Sequence, residues 1–175
     1  MKENLLVPKS LKHLLSQACS QGLPIAKYPP LQFIVYFHNN FVIKTKLTVA
    51  PVFTCLFLGP ASHKAMEEII LWGSQYAQKC PPQIPSYIDK TLISEKHYRI
   101  LNALTMIPFG EKRTYSEIAT QIKSHPRAIG IACKHNPFLL FFPCHRVLGS
   151  RGEQHYIAGQ QIHNVLLNFE TKKDS

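Results

Sequence analysis

Residues 136–147 read Asn136-Pro137-Phe138-Leu139-Leu140-Phe141-Phe142-Pro143-Cys144-His145-Arg146-Val147. The bulky apolar run 138–142 between two prolines predicts a short buried strand, bounded by residues that cannot extend a ladder. A cysteine directly after such a strand stands at the mouth of a pocket rather than inside a sheet. His145 and Arg146 beside it supply the positive field that lowers a thiol pKa and makes thiolate available near neutral pH. One geometric condition attaches to this reading. Neighbours on a regular strand point to opposite faces, so Cys144 and His145 cooperate only where the backbone turns or a water bridges them. A bare Cys-His pair, taken alone, better describes an inert buried thiol beside a surface histidine.

Working outward, helices are predicted on both sides of this stretch. Thr114 with Glu117 three residues on is a capping-box pattern, opening a helix to about Ile122. Lys123-Ser124-His125-Pro126 breaks it, and Pro126 suits the first turn of the next helix, 126–135. That helix turns Ile129, Ala132 and Cys133 inward and Arg127, Ile131 and Lys134 outward. Two short helices, a tight turn and exposed cations make a helix-turn-helix pattern, which any αα-hairpin on a basic surface also shows. Residues 94–104 carry Tyr98, Leu101 and Leu104 on one helical face. Residues 161–169 carry Ile162, Val165, Leu166 and Phe169 at i, i+3, i+4, i+7, an inward-packing helix that leaves Glu170 at its edge.

Further upstream the pattern changes. Segments 31–37 and 41–49 flank the hairpin-like His38-Asn39-Asn40, and a third strand, 52–58, stops at Gly59-Pro60. Residues 62–78 then place Met66, Ile69, Ile70, Gly73 and Ala77 at helical spacing. The proline-rich run Pro81-Pro82-Gln83-Ile84-Pro85 divides an α/β domain, 1–85, from a mostly α domain, 86–175. The first holds no constellation that carries chemistry and reads as scaffold.

Composition narrows the partner. With 45% hydrophobic and 17% charged residues, the 175-residue chain is globular. Its formal net charge is +10. All five arginines (Arg99, Arg113, Arg127, Arg146, Arg151) lie in the second half. Such a surplus favours nucleic acid first and a membrane surface second, unless it is simply a solvated basic face. No secretion signal is visible in MKENLLVPKS and no stretch approaches a membrane span, so no membrane partner is expected. The five cysteines form an odd count without CxxC spacing. That argues against a disulfide framework or zinc knuckle, and for a reducing cytoplasmic compartment.

Three motifs then act together. Residues 108–118 (PFGEKRTYSEI), 127–137 (RAIGIACKHNP) and 143–147 (PCHRV) stand in the order and near-spacing of the O6-alkylguanine-DNA alkyltransferase family. The stretch 94–170 resembles that family throughout. The resemblance implies that Cys144 accepts an alkyl group in one in-line displacement. His145 would deprotonate it through a water, and Glu170 would orient and charge-stabilise His145. Tyr115 would donate its hydroxyl to the departing guanine, and Asn136 would hold the pocket loop by backbone hydrogen bonds. Backbone groups at Cys144 and Val147 would read the guanine edge, with Tyr156 also at the substrate. Arg127 would fill the space of the extruded nucleotide, while Ala128 and Lys134 lie on the helix against DNA.

The implied partner is duplex DNA containing O6-alkylguanine, bound by a monomer in the cytoplasm, nucleoid or nucleus. No cofactor and no metal are implied, since Cys19, Cys55 and Cys80 lack the ligand spacing of the zinc site some members carry. The implied first domain is α/β, resembling ribonuclease H without its active site; the second carries the helix-turn-helix. The chain departs from the family in a shorter inter-helix turn and a shorter 152–156 loop. It also has Ile157-Ala158-Gly159 for Ser-Gly-Gly and His163 for a lysine. Ile157 and Ala158 are expected to narrow the alkyl pocket. Two other classes compete: a DNA-binding module that senses alkylated bases without repair, and a cysteine hydrolase using Cys144 and His145.

Overall fold

The computed structural model describes residues 29–80, 83–152 and 155–171. Strand β1 (Leu31–His38) pairs antiparallel with β2 (Phe41–Val49) and parallel with β3 (Thr54–Leu58), in the order β2-β1-β3. Asn39 and Asn40 both take positive φ, 47° and 69°, the conformation a two-residue hairpin turn needs to match strand twist. As the middle strand, β1 buries Leu31, Phe33, Ile34, Val35 and Phe37, which explains its near-continuous apolar run. Beyond β3, Gly59 lies at φ 93°, and a Cβ there would sit 2.1 Å from the Phe37 carbonyl oxygen. No other residue fits that turn.

Helix α1 (His63–Ala77) starts at Ser62, whose hydroxyl accepts from the Ala65 amide. Ile69, Ile70, Gly73 and Ala77 are buried as expected, but the stripe that crosses the core is Ala65, Ile69, Trp72 and Tyr76.

The second half runs α2 (Glu95–Leu104), β4 (Arg113–Thr114), α3 (Tyr115–Gln121), α4 (Pro126–Lys134), a 3-10 turn (Cys144–Arg146), β5 (Val147–Leu148) and α5 (Gln160–Thr171). Strands β4 and β5 form a parallel pair, Arg113 opposite Val147. The capping box is realised at both ends: Thr114 Oγ1 accepts from the Glu117 amide, and Glu117 accepts from the Thr114 amide. The described residues thus form a mixed α/β fold with a small three-stranded sheet, a two-stranded one and five helices.

One expectation fails. Residues 138–142 are buried but are not a strand. Leu140 sits at φ 71°, and the Phe142 amide donates back to the Phe138 carbonyl at 3.1 Å. The physical reason is Asn136. Its Oδ1 accepts from the Phe138 amide at 2.9 Å, and its Nδ2 donates to the Phe142 carbonyl at 3.0 Å. A single side-chain amide does what a neighbouring strand would have done, and the segment closes on itself.

That closed turn docks on the first half. Thr45 of β2 donates its amide to Pro137 O at 2.8 Å and its hydroxyl to Leu139 O at 3.0 Å. Phe141 meets Phe33 edge-on at 5.4 Å and Trp72 at 4.7 Å. Both composition blocks therefore share one apolar cluster. No helix among the described residues is long and apolar enough to cross a membrane.

Candidate active site

Cys144 opens the 3-10 turn, and its Sγ lies 3.2 Å from Asn136 Nδ2. The turn bends the backbone between Cys144 and His145, which meets the geometric condition a straight strand would have violated. The expected low-pKa thiolate is not what the geometry produces. Burial pushes the Cys144 thiol up to about 11, with the Asn136 donor and a backbone donor pulling it partly back. Arg146 does not relieve this, because its guanidinium is occupied elsewhere. Nε donates to Glu170 Oε2 at 2.8 Å, Nη2 to Oε1 at 3.0 Å and Nη1 to Ile107 O at 2.9 Å. The resting group is a neutral thiol that must lose its proton to a base.

A candidate for that base stands next to it in sequence. His145 is fully buried, and its Nε2 donates to Glu170 Oε1 at 2.6 Å. Nδ1 has no hydrogen-bond partner among the described residues, which leaves its lone pair able to take a proton.

Glu170, expected at the edge of its helix, is buried, at 5% exposure. Burial alone would push its carboxyl up. The charge and hydrogen bonds of His145 and Arg146 instead hold it well below the usual carboxylate range. Tyr76 Oη adds a donor to Oε1 at 3.0 Å, and the Gly110 amide one to Oε2 at 3.4 Å. Gly110 must be glycine: at φ 79°, its Cβ would lie 2.7 Å from the Glu170 carbonyl oxygen.

The remaining expected residues divide in two. Tyr156 packs its ring 6.1 Å from His145 and 5.1 Å from His163. Its buried hydroxyl has no hydrogen-bond partner among the described residues. Tyr115, at the start of α3, is half-buried; burial, then the nearby thiols of Cys133 and Cys144, push its phenol up to about 12, so it remains a donor. Val147 is buried in β5. Arg127, Ala128 and Lys134 ride on α4, where Arg127, Ile131 and Lys134 are exposed and Ile129, Ala132 and Cys133 are buried. None of the α4 residues is hydrogen-bonded to the Cys144–His145–Glu170 set.

Three members of the site were not foreseen in their present roles. Arg146 is Glu170's ion-pair partner, where the sequence suggested a field on the thiol. His163 donates Nε2–H to the His145 carbonyl at 2.6 Å, where the sequence showed only a departure from a lysine. Tyr76 comes from a half of the chain read as scaffold, and nothing in its local pattern marks it. Among the described residues no group of three His, Cys, Asp or Glu could hold a metal ion; Cys19 lies outside them.

Residues 95–172 match the model of the 6-O-methylguanine DNA methyltransferase, DNA binding domain. Over this segment the chain is similar to that family. A methylated-DNA–protein-cysteine methyltransferase of Sulfolobus acidocaldarius is 34% identical over 95 residues, 54% of this chain and 61% of that protein. One from Methanosarcina acetivorans is 45% identical over 74 residues, 41% of this chain and 47% of that protein. The chain thus spans about half the length of the curated relatives it matches. The solved Mycobacterium tuberculosis OGT in complex with DNA is similar over 80% of this chain and 92% of that one, with a TM-score of 0.57 and 27% identity. Its match extends beyond the family segment into the three-stranded half.

Proposed function

We propose that this chain repairs DNA by direct reversal, moving the alkyl group of O6-alkylguanine in duplex DNA irreversibly onto Cys144. The observation that carries the reading is the buried Asn136–Cys144 and His145–Glu170 pairing. It supplies a nucleophile, a base with a free nitrogen and a carboxylate that stabilises the resulting imidazolium. The thiol proton passes through a water to His145 Nδ1. The S–C bond forms as the C–O6 bond breaks, and the guanine leaves as its own electron pair is met by the Tyr115 hydroxyl. The product is a thioether, which cannot be hydrolysed under mild conditions, so each chain acts once.

The DNA contacts follow from the exposed face of α4. In this reading α3 and α4 act as a helix-turn-helix, with Arg127 filling the gap of the extruded nucleotide and Lys134 on phosphate. Ala128 and Gly130 permit close approach. Extrusion is required because O6 is out of reach inside the stack. Asn136 holds the pocket turn, and Tyr156 with the Val147 backbone lines the base. The β2-β1-β3 sheet with α1 serves as a degenerate ribonuclease H-like unit, with the domain boundary near residue 85. A monomer working in the cytoplasm, nucleoid or nucleus completes the proposal, with O4-alkylthymine as a second substrate to be tried.

Intact-mass spectrometry after incubation with an O6-methylguanine duplex tests it. One methyl per chain, mapped to Cys144, is expected. Multiple turnovers would favour a hydrolase, and tight binding without label a sensor; either ends the proposal.

A further inference from the structure

Tyr76 lies 94 residues from Glu170 in sequence and outside the segment that matches the family. Its ring is 1% exposed, stacked on Trp72 at 5.4 Å and 8° and packed against Phe109 and Phe169 at 5.5 and 5.7 Å. A phenylalanine would make all of those contacts. The hydroxyl is therefore the unexplained part, because burying a hydroxyl is unfavourable unless it is bonded. Its bond goes to Glu170 Oε1, the same oxygen that accepts His145 Nε2–H and Arg146 Nη2–H.

Building on the transferase reading above, we infer that Tyr76 is a positioning residue: its hydroxyl shares Glu170 Oε1 with His145 and so limits how strongly the carboxylate holds the imidazolium. Hydrogen bonds to one oxygen compete for its charge. With Tyr76 in place, Oε1 is drawn on by three donors, and His145 shares it with Arg146 and Tyr76. Without it, the carboxylate charge falls more heavily on the His145 Nε2–H bond, which strengthens the hold on the imidazolium and moves the onset of transfer to higher pH. Burial, then the Glu170 charge, push the Tyr76 phenol well above its usual range, so it stays a donor throughout. Among the described residues, the other charged or titratable groups around the pair are Cys144 and Arg146 on the 3-10 turn, Tyr156 before α5 and His163 on α5, with Lys112 before β4 acting on His163. Lys79, after α1, sits 5.5 Å over the Phe169 ring. The scaffold half thereby contributes to the chemistry as well as to the core.

The test is Tyr76→Phe, with methyl uptake from an O6-methylguanine duplex followed across the neutral range. The acid limb of the rate profile is expected to move to higher pH by roughly half a unit, with the alkaline rate changed less than about twofold. The downfield proton resonance of the His145–Glu170 bond should move further downfield. Site-specific fluorotyrosine at position 76, a stronger donor of nearly the same shape, should move both readouts the opposite way. Fluorescence of Trp72, the single tryptophan, reports whether the ring stack survives. A rate lowered by one factor at every pH, or an equal shift for both variants, would overturn the inference in favour of packing alone. If the unmodified chain takes up no methyl, the transferase reading fails instead, and the proton resonance still decides the role of Tyr76.

Discussion

Helices α4 and α5 are both short, amphipathic and functional in this reading, yet they face opposite ways. α4 points Arg127, Ile131 and Lys134 to solvent and keeps only small and apolar residues inside. α5 does the reverse: His163 and Glu170 face inward and are almost completely buried. The difference separates two kinds of work. Charges that meet a polyanion must stay hydrated until it arrives. A carboxylate that steers an imidazole gains from a dry setting, where each hydrogen bond is stronger. A change on α4 should therefore alter binding with little effect on stability, whereas a change on the buried face of α5 should alter chemistry and stability together.

The sharpest way to break that separation is at the nucleophile. Cys144→Ala is expected to abolish methyl uptake by mass spectrometry while leaving duplex affinity, measured by anisotropy, within about twofold. A parallel loss of affinity would mean that the buried and exposed faces are not independent.

Glu170→Gln comes next. It leaves Arg146 buried without its counter-charge, and breaking such a pair costs on the order of 3–5 kcal/mol. The pH dependence has a defined sign. Glu170's folded pKa is depressed, so its contribution is fully present above the unfolded carboxylate value of about 4.3 and is lost as pH falls from there toward the lower folded value. Urea unfolding of the natural chain should thus be flat through neutral pH and weaken in acid. The Gln variant should start lower and show a shallower acid slope; an unchanged slope would place the acid-sensitive group elsewhere.

What the sequence made legible was local. The Thr114–Glu117 box, Pro126 at a helix start and the Asn39-Asn40 turn each act over a few residues, and each is where its pattern put it. The stretch 138–142 misled because apolar β-like composition encodes burial, not conformation, and the deciding bonds come from one amide at Asn136. Tyr76 and the full partner set of Arg146 were out of reach for another reason. Their bonds span 94, 39 and 24 residues, distances at which no periodicity carries information.

Asn136 tests the thiol directly. Its amide pulls the Cys144 pKa down from where burial alone would put it, toward about 11. Asn136→Ala removes that donor, so the thiol pKa rises, less thiolate exists at any pH, and transfer slows by roughly tenfold for about 1.4 kcal/mol. The rate of the natural chain should climb with pH across neutrality, and the variant's profile should lie to the alkaline side. Coincident profiles would mean that the Asn136–Sγ contact has no chemical role. On α4, Arg127→Ala should slow repair of duplex DNA severalfold more than reaction with free O6-benzylguanine. It should also reduce the log–log salt slope of binding by about one. Equal losses on both substrates would assign Arg127 to the pocket instead.

The smallest effect concerns the loop before α5, where the sequence suggested that Ile157 and Ala158 together crowd the alkyl pocket. Ile157 is 49% exposed and only Ala158 packs against the core, so the two cannot contribute equally. Removing a half-solvated side chain changes little, and Ile157→Ser is expected to leave inactivation by free O6-benzylguanine within about twofold. Ala158→Gly deletes a single methyl at the packed position. One methyl in a close-fitting wall is worth about 0.8 kcal/mol, or roughly a fourfold gain in rate for a bulky alkyl group, with methyl transfer unaffected. A larger gain from Ile157→Ser than from Ala158→Gly would show that the loop closes over the substrate with Ile157 turned inward.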